Sequence, residues 1–193
     1  TLVVHDGLAC SEYPIEVRFP GAYNRANLAA ALAGAVALGH APATLAGSVS
    51  ALRLPPGRYE AYALDGDARL IFDAYNASLS GTLATLDAFA SEIAPRRIAV
   101  LGGMAELGRD SAGMHERIGS AAAARADVVL CGGDHRADTM RGAGTKAVSY
   151  ADNAAAIGWL RATLQPGDVV LLKGSRKYAM EEIARALGAE VRA

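Results

Sequence analysis

Aromatic residues are scarce in this 193-residue chain, with three Phe, seven Tyr and one Trp. A surface for stacking bases is therefore not expected. Nor is there an excess of positive charge to hold a phosphate backbone, because 19 Lys and Arg face 20 Asp and Glu. Together these exclude a nucleic-acid partner on electrostatic and stacking grounds. Cys10 and Cys131 are the two cysteines, far apart and without Cys/His ligand spacing. Reduced thiols in a cytoplasmic protein are the expectation, with neither a disulfide nor a metal site. No apolar run approaches the ~20 residues of a membrane helix, so no membrane contact is expected. Also missing is any Gly-x-x-x-x-Gly-Lys-Ser/Thr phosphate loop. The pairs Gly102-Gly103 and Gly132-Gly133 do not complete a Gly-x-Gly-x-x-Gly dinucleotide fingerprint after a first strand.

What is present is an alternation. Apolar, β-branched runs at 68–73, 97–101, 128–131, 147–150 and 169–172 end in small or polar turns. Ala-rich helical stretches at 81–93, 111–125, 135–141, 153–164 and 178–187 follow them. Strands apolar throughout and interleaved with helices predict an α/β fold, a mostly parallel sheet with helices on both faces. Ligands of such sheets gather at the carboxyl ends of the strands. Those ends read Asp73-Ala74-Tyr75-Asn76, Gly102-Gly103-Met104, Gly132-Gly133-Asp134 and Lys173-Gly174-Ser175-Arg176.

The first fifty-odd residues differ. Runs 2–4 and 14–19 read as strands with His5-Asp6-Gly7 as a turn between them, and helices are expected at 24–38 and 43–52. Leu54-Pro55-Pro56-Gly57 marks a boundary, giving pieces 1–55 and 56–193. The first piece is too thin to bury much core, and the chain starts mid-strand at Thr1-Leu2-Val3-Val4. An excised part of a longer protein, docking on residues outside this sequence, is the expectation.

The richest stretch is the last turn. Lys173, Arg176 and Lys177 crowd the expected start of a helix, an end that carries partial positive charge and prefers acids. Such crowding makes sense if an anion meets the free N–H groups, the Ser175 hydroxyl and the cations together. A solvated basic turn with Ser175 as helix cap explains it equally well.

Taken together, the turns resemble the Mur ligases, the ATP-dependent amide ligases that assemble the peptidoglycan peptide stem. The matching segments are Asn24-Arg25-Ala26-Asn27, Pro56-Gly57-Arg58-Tyr59-Glu60 and Asp73-Ala74-Tyr75-Asn76-Ala77. Beyond them come Leu101-Gly102-Gly103-Met104-Ala105-Glu106-Leu107-Gly108 with His115, then Lys173-Gly174-Ser175-Arg176 with Met180-Glu181-Glu182. The Met-Ala-Glu-Leu-Gly and Lys-Gly-Ser-Arg pair is most similar to the branch that uses UDP-N-acetylmuramoyl-tripeptide and D-alanyl-D-alanine.

The resemblance implies that 1–55 is the tail of a central ATPase domain and 56–193 a Rossmann-like C-terminal domain. The N-terminal domain, the phosphate loop and the metal ligands would then lie outside this chain, and the piece alone would be inactive. ATP and Mg would serve the full-length enzyme. Asn27 is implied to read the adenine edge, Arg58 to meet the nucleotide and Asp73 to hold the ribose hydroxyls. Asn76, Lys173, Ser175 and Arg176 are implied to bind substrate, with the dipeptide carboxylate as the anion of the last turn. Tyr75 is a weaker candidate for the same cleft. Glu106 and His115 match family positions and are expected to anchor a loop and pack a helix. Without the resemblance, Asn27 reads rather as a helix-surface residue and Arg58 as a solvated loop residue, while Asp73 reads equally as a cap.

Several positions depart from the family pattern. Ala22-Tyr23 replace a usual Arg-His, Ser78-Leu79 replace Asn-Pro, and Gly103 replaces the acid of Leu-Gly-Asp-Met. The amine substrate is left open by the first and last of these. Folylpolyglutamate synthases and cyanophycin synthetases share this domain type and stand as alternatives. So does a non-catalytic nucleotide- or anion-binding module.

Overall fold

The computed structural model of the chain describes residues 1–6 and 9–191. Two compact units divide it, Thr1–Leu54 and Pro55–Ala193. In the first, β1 (Leu2–Asp6) pairs antiparallel with β2 (Ala9–Tyr13). Helices α1 (Ala22–Ala37) and α2 (Pro42–Ser48) follow, the second ending in a 3-10 turn over Val49–Ala51. Leu28, Leu32 and Val49 form a small core against which Ile15, Val17, Phe19 and Leu45 pack.

That packing corrects the expected strand at 14–19. The apolar alternation there is real, and its side chains meet the helices, yet the segment forms no ladder. Pro14 begins it without an N–H to donate. The strand that does form comes earlier, in the more polar Ala9–Tyr13. Of the expected turn, His5 and Asp6 belong to β1, and Gly7 lies outside the described residues.

The second unit runs β3 (Glu60–Ala63), β4 (Arg69–Asp73), α3 (Leu79–Ala90), β5 (Arg97–Gly103), α4 (Ser111–Ala123) and β6 (Val128–Cys131). It continues with α5 (Arg136–Ala143), β7 (Ala147–Ser149), α6 (Asn153–Thr163), β8 (Val169–Gly174) and α7 (Glu181–Ala186). The six strands form one sheet in the order β3-β4-β8-β5-β6-β7. All neighbours are parallel except the edge pair β3–β4. The short, half-exposed β3 carries no apolar run, which is why the sequence hides it.

Leu70, Phe72, Val100, Leu130, Val170 and Leu172 join Ala156 and Leu160 of α6 and Ile183 and Ala184 of α7 in one core. Their alternates Ile71, Ala99, Val129 and Leu171 point to the opposite face and are also buried. Burial on both faces accounts for the continuous apolar runs and is the arrangement the alternation predicts. Side-chain caps fix two helix starts: Ser78 accepts from the Gly81 N–H and Asp152 from the Ala155 N–H.

The order of the strands sets the site. The chain leaves β4 for β5, travels outward through β6 and β7, and returns to lay β8 between β4 and β5. Strand succession reverses there, so the carboxyl ends of β4, β8 and β5 border a gap of the kind where ligands of such sheets gather.

Candidate functional site

Three chain segments meet at that gap: the 55–58 turn, the 73–76 turn after β4 and the 174–178 turn after β8. Gly57 has φ +73°, and a Cβ added to it would lie 3.0 Å from Tyr75 Cβ, so only glycine lets the first two turns approach. The Tyr75 N–H donates to the Gly57 carbonyl at 3.2 Å and fixes that approach. Tyr75 itself stays half-exposed. The Arg58 guanidinium lies 4.9 Å from the centre of its ring and the Arg176 guanidinium 5.7 Å. Neither arginine has a carboxylate partner among the described residues. Two unpaired guanidiniums therefore converge on one aromatic ring, a place where an anion would be stabilised by both. Beside them lies a cleft of about 260 Å³ lined by Pro55, Pro56, Gly57, Phe72, Ala74, Tyr75, Arg176 and Glu181.

Under this mouth is a buried ion pair. Lys173 and Asp73 are each 3 % exposed, with Lys173 Nζ 3.3 Å from Asp73 Oδ2. The same oxygen accepts from the Thr85 hydroxyl. Lys173 Nζ also donates to the Asp73 carbonyl at 3.0 Å and the Asn76 carbonyl at 2.6 Å. Burial pulls the Lys173 pKa below the usual lysine range against the pull of Asp73, and the nearby Arg58 charge lowers it further.

These contacts correct two expectations. Lys173 does not face an outside anion, because its donors are taken by protein oxygens. Nor do three cations crowd a helix start. A 3-10 turn over Arg176–Tyr178 comes first, then Ala179 in the left-handed region at φ 45°, and α7 begins only at Glu181. The Asn153 amide on α6 donates to the carbonyls of Tyr178 and Ala179 and holds the break. The first turn of α7 carries Glu181 and Glu182, as its dipole prefers. Lys177 pairs with Asp134 instead.

The other expected residues are placed as follows. Asp73 Oδ1 makes no hydrogen bond among the described residues, which leaves it free to accept one. Asn76 is exposed, with Oδ1 accepting from the Ala77 N–H. Ser175 is buried at the start of the 3-10 turn, yet its hydroxyl makes no cap bond, which removes the capping explanation for it. Asn27 is exposed on α1 of the first unit, while its neighbour Asn24 is buried and donates to the Pro20 carbonyl.

Gly103 ends β5 at φ +99°, and a Cβ there would meet the Tyr178 ring at 3.2 Å. The tyrosine occupies the room a side chain at this position would need. Next to it the Met104 N–H donates to His115 Nε2 at 2.9 Å, while His115 Nδ1 lies 2.7 Å from the Ser111 carbonyl. His115 is thus a neutral, buried anchor for the loop after β5, as expected of it. Both cysteines are free, and burial pushes the Cys131 thiol up to about 12.

Sequence reasoning misses Phe72 and Glu181 and undervalues Tyr75. Phe72 reads only as the end of an apolar strand, and Pro56 and Glu181 only as parts of family segments with no role of their own. Their shared opening depends on β8 lying beside β4, which no local pattern announces.

Comparison with known proteins gives the family. The family model "Mur ligase, glutamate ligase domain" matches residues 57–176. The UDP-N-acetylmuramoyl-tripeptide–D-alanyl-D-alanine ligase of Escherichia coli is 36% identical over 173 residues, covering 87% of this chain and 37% of that protein. Its Synechocystis counterpart is 33% identical over 174 residues, covering 88% and 38%. The chain thus spans less than two-fifths of the length of these relatives. A crystal structure of MurF from Acinetobacter baumannii superposes with a TM-score of 0.83 at 24% identity, over 96% of this chain and 41% of that one. MurF ligase from Thermotoga maritima, in complex with ADP, gives 0.75 at 25% identity, over 86% and 38%. With this domain matched over most of the second unit and relatives above 30% identical, the chain belongs to the Mur ligase family.

Proposed function

We propose that this chain is the C-terminal part of a cytoplasmic, ATP-dependent amide ligase of peptidoglycan assembly. Its whole enzyme would join D-alanyl-D-alanine to UDP-N-acetylmuramoyl-tripeptide through an acyl phosphate. The convergence of Arg58 and Arg176, both without a carboxylate partner, on Tyr75 at the reversal point of the sheet carries the reading. The relatives are UDP-N-acetylmuramoyl-tripeptide–D-alanyl-D-alanine ligases, which supports these substrates.

The residues present suit the nucleotide. ATP supplies the phosphoryl group that activates the tripeptide carboxylate. Arg58 offers a planar fork of donors to its phosphates and Asp73 an acceptor to its ribose. Magnesium we assign to parts of the enzyme outside this chain, and no step here is routed through it. Arg176, with Ser175 beneath it and Asn76 Nδ2 on the neighbouring turn, takes the terminal carboxylate of the incoming dipeptide. The apolar lining from Pro55, Pro56, Phe72 and Ala74 suits its methyl groups. Held so, the amine is directed at the acyl carbon, and catalysis from this domain is by positioning.

Steady-state kinetics of the complete ligase test the division of labour. Arg176→Ala is expected to raise KM for the dipeptide by about tenfold or more while KM for ATP stays within about twofold, the loss of one charge-assisted contact. Arg58→Ala should do the reverse. If Arg176→Ala changed only the ATP parameter, the assignment of the two arginines would be wrong.

A further inference from the structure

The buried Lys173 is not used by the mechanism above, and its contacts share one target. Its two hydrogen bonds end on the Asp73 and Asn76 carbonyls, which bracket Tyr75 in the chain. Its ion pair ends on the Asp73 carboxylate. Every polar contact of the ammonium thus falls on the 73–76 turn. A lysine kept only to fill space would be poorly placed here, since burying the charge is costly and a Leu or Met would fill the volume without that cost. On the other flank the turn is tied by the Tyr75 N–H to the Gly57 carbonyl.

We infer that Lys173 is a positioning residue: from the end of β8 it clamps the 73–76 turn so that Tyr75 stands where Arg58 and Arg176 can both meet its ring. One lysine, central in the sheet, thereby sets the spacing of two anion-binding arginines it does not touch. Because β8 also leads directly into the turn that carries Arg176, Lys173 fixes one element carrying the mouth against the other. The charge follows from the same geometry. Two carbonyls and a carboxylate oxygen converge on one point, and a cationic amine with three donors satisfies all of them. Asp73 compensates the charge, and Thr85 steadies Asp73.

Only the kinetic arm of the following test rests on the ligase reading; the spectroscopic arm does not. The ring current of Tyr75 shifts the side-chain protons of any arginine stacked on it, so NMR of the Arg58 and Arg176 Hδ protons in the 193-residue chain reports the arrangement directly. The double variant Lys173→Met with Asp73→Asn removes both buried charges at once, and Asp73→Asn alone keeps the two carbonyl bonds of Lys173. Ring-current shifts are expected to survive in Asp73→Asn and to collapse in the double variant, with far-UV circular dichroism unchanged in both. Retention of the shifts in the folded double variant overturns the inference. Should the double variant fail to fold, the wild-type chain answers through amide exchange. The Tyr75 N–H, on a half-exposed residue, is expected to be protected by about a hundredfold or more, and exchange at the unstructured rate overturns the clamp. In the complete ligase, where Asp73→Asn by itself removes the ribose acceptor, the double variant should raise KM for the dipeptide about tenfold beyond Asp73→Asn alone with little change in kcat. Loss of the ring-current shifts without that rise would uphold the clamp and count against the ligase reading of the cleft.

Discussion

Replacing His115 by Phe should change how the stability of the second unit depends on pH. The imidazole is 1 % exposed, accepts from the Met104 N–H and stands 2.7 Å from the Ser111 carbonyl, a pattern only the neutral ring satisfies. Burial lowers its pKa from 6.5, opposed by the Ser111 carbonyl, while the stacked His135 at 4.6 Å lowers it further. Asp138 and Asp134 act against this, and Lys173 and Thr139 line the small cavity beside the ring. With the folded pKa below the unfolded one, the unfolded chain takes up a proton that the folded chain does not. Stability is therefore full above about pH 6.5 and declines as pH falls toward the folded value. Each pH unit in that window costs about 1.4 kcal/mol. Asp134 and Asp138 have pKa values lowered from 3.8 and titrate below the window.

His115→Phe keeps the ring volume but orphans the Met104 N–H, so at pH 7.5 it should cost about 1–3 kcal/mol. As pH falls below 6.5 the wild type should lose stability that the variant does not, and the gap should narrow. The chain has a single tryptophan, Trp159 on α6, packed against the core of the second unit. Urea unfolding followed by its fluorescence at several pH values therefore reports this unit. Equal pH slopes for the two proteins would refute the neutral-anchor assignment.

Three further outcomes follow from other parts of the unit. Gly57→Ala places a Cβ at φ +73° and 3.0 Å from Tyr75 Cβ, and should lower stability by about 1–2 kcal/mol in urea unfolding while shifting the Tyr75 and Arg58 resonances. Ala179→Gly relieves an L residue at φ 45° and should raise stability by about 0.5–1 kcal/mol after the flexibility glycine adds to the unfolded chain, read as a higher Tm. Leu172→Ala, fully buried in the central strand β8, should cost about 2–5 kcal/mol.

Much of the fold was legible because its signals are local. The runs in β4, β5, β6 and β8 are apolar on both faces, and a strand of that kind must lie inside a covered parallel sheet. The Ala-rich runs after the strands form helices α3, α4, α5 and α6 close to where they were expected. Failures came where the deciding partner was distant. The 14–19 alternation packs on α1 and α2 rather than on a strand, and β3 is held by its pairing with β4, not by its own residues. At the site, the arginines and the turns that carry them could be named, since family motif and strand-end position point to the same places. The inward turn of Lys173 could not. It depends on the placement of β8 beside β4, which brings the lysine within reach of two carbonyls about a hundred positions earlier in the chain. The delayed start of α7 likewise depends on Asn153 from another helix.

The central claim is that Arg58 and Arg176 form one anion-binding mouth about Tyr75. Observing their side-chain Nε resonances while the chain is titrated with ADP, and separately with D-alanyl-D-alanine, tests it most directly. The account predicts that ADP moves Arg58 foremost and the dipeptide Arg176 foremost, each with saturation. Saturable shifts elsewhere in the chain with both arginine signals unmoved would contradict it.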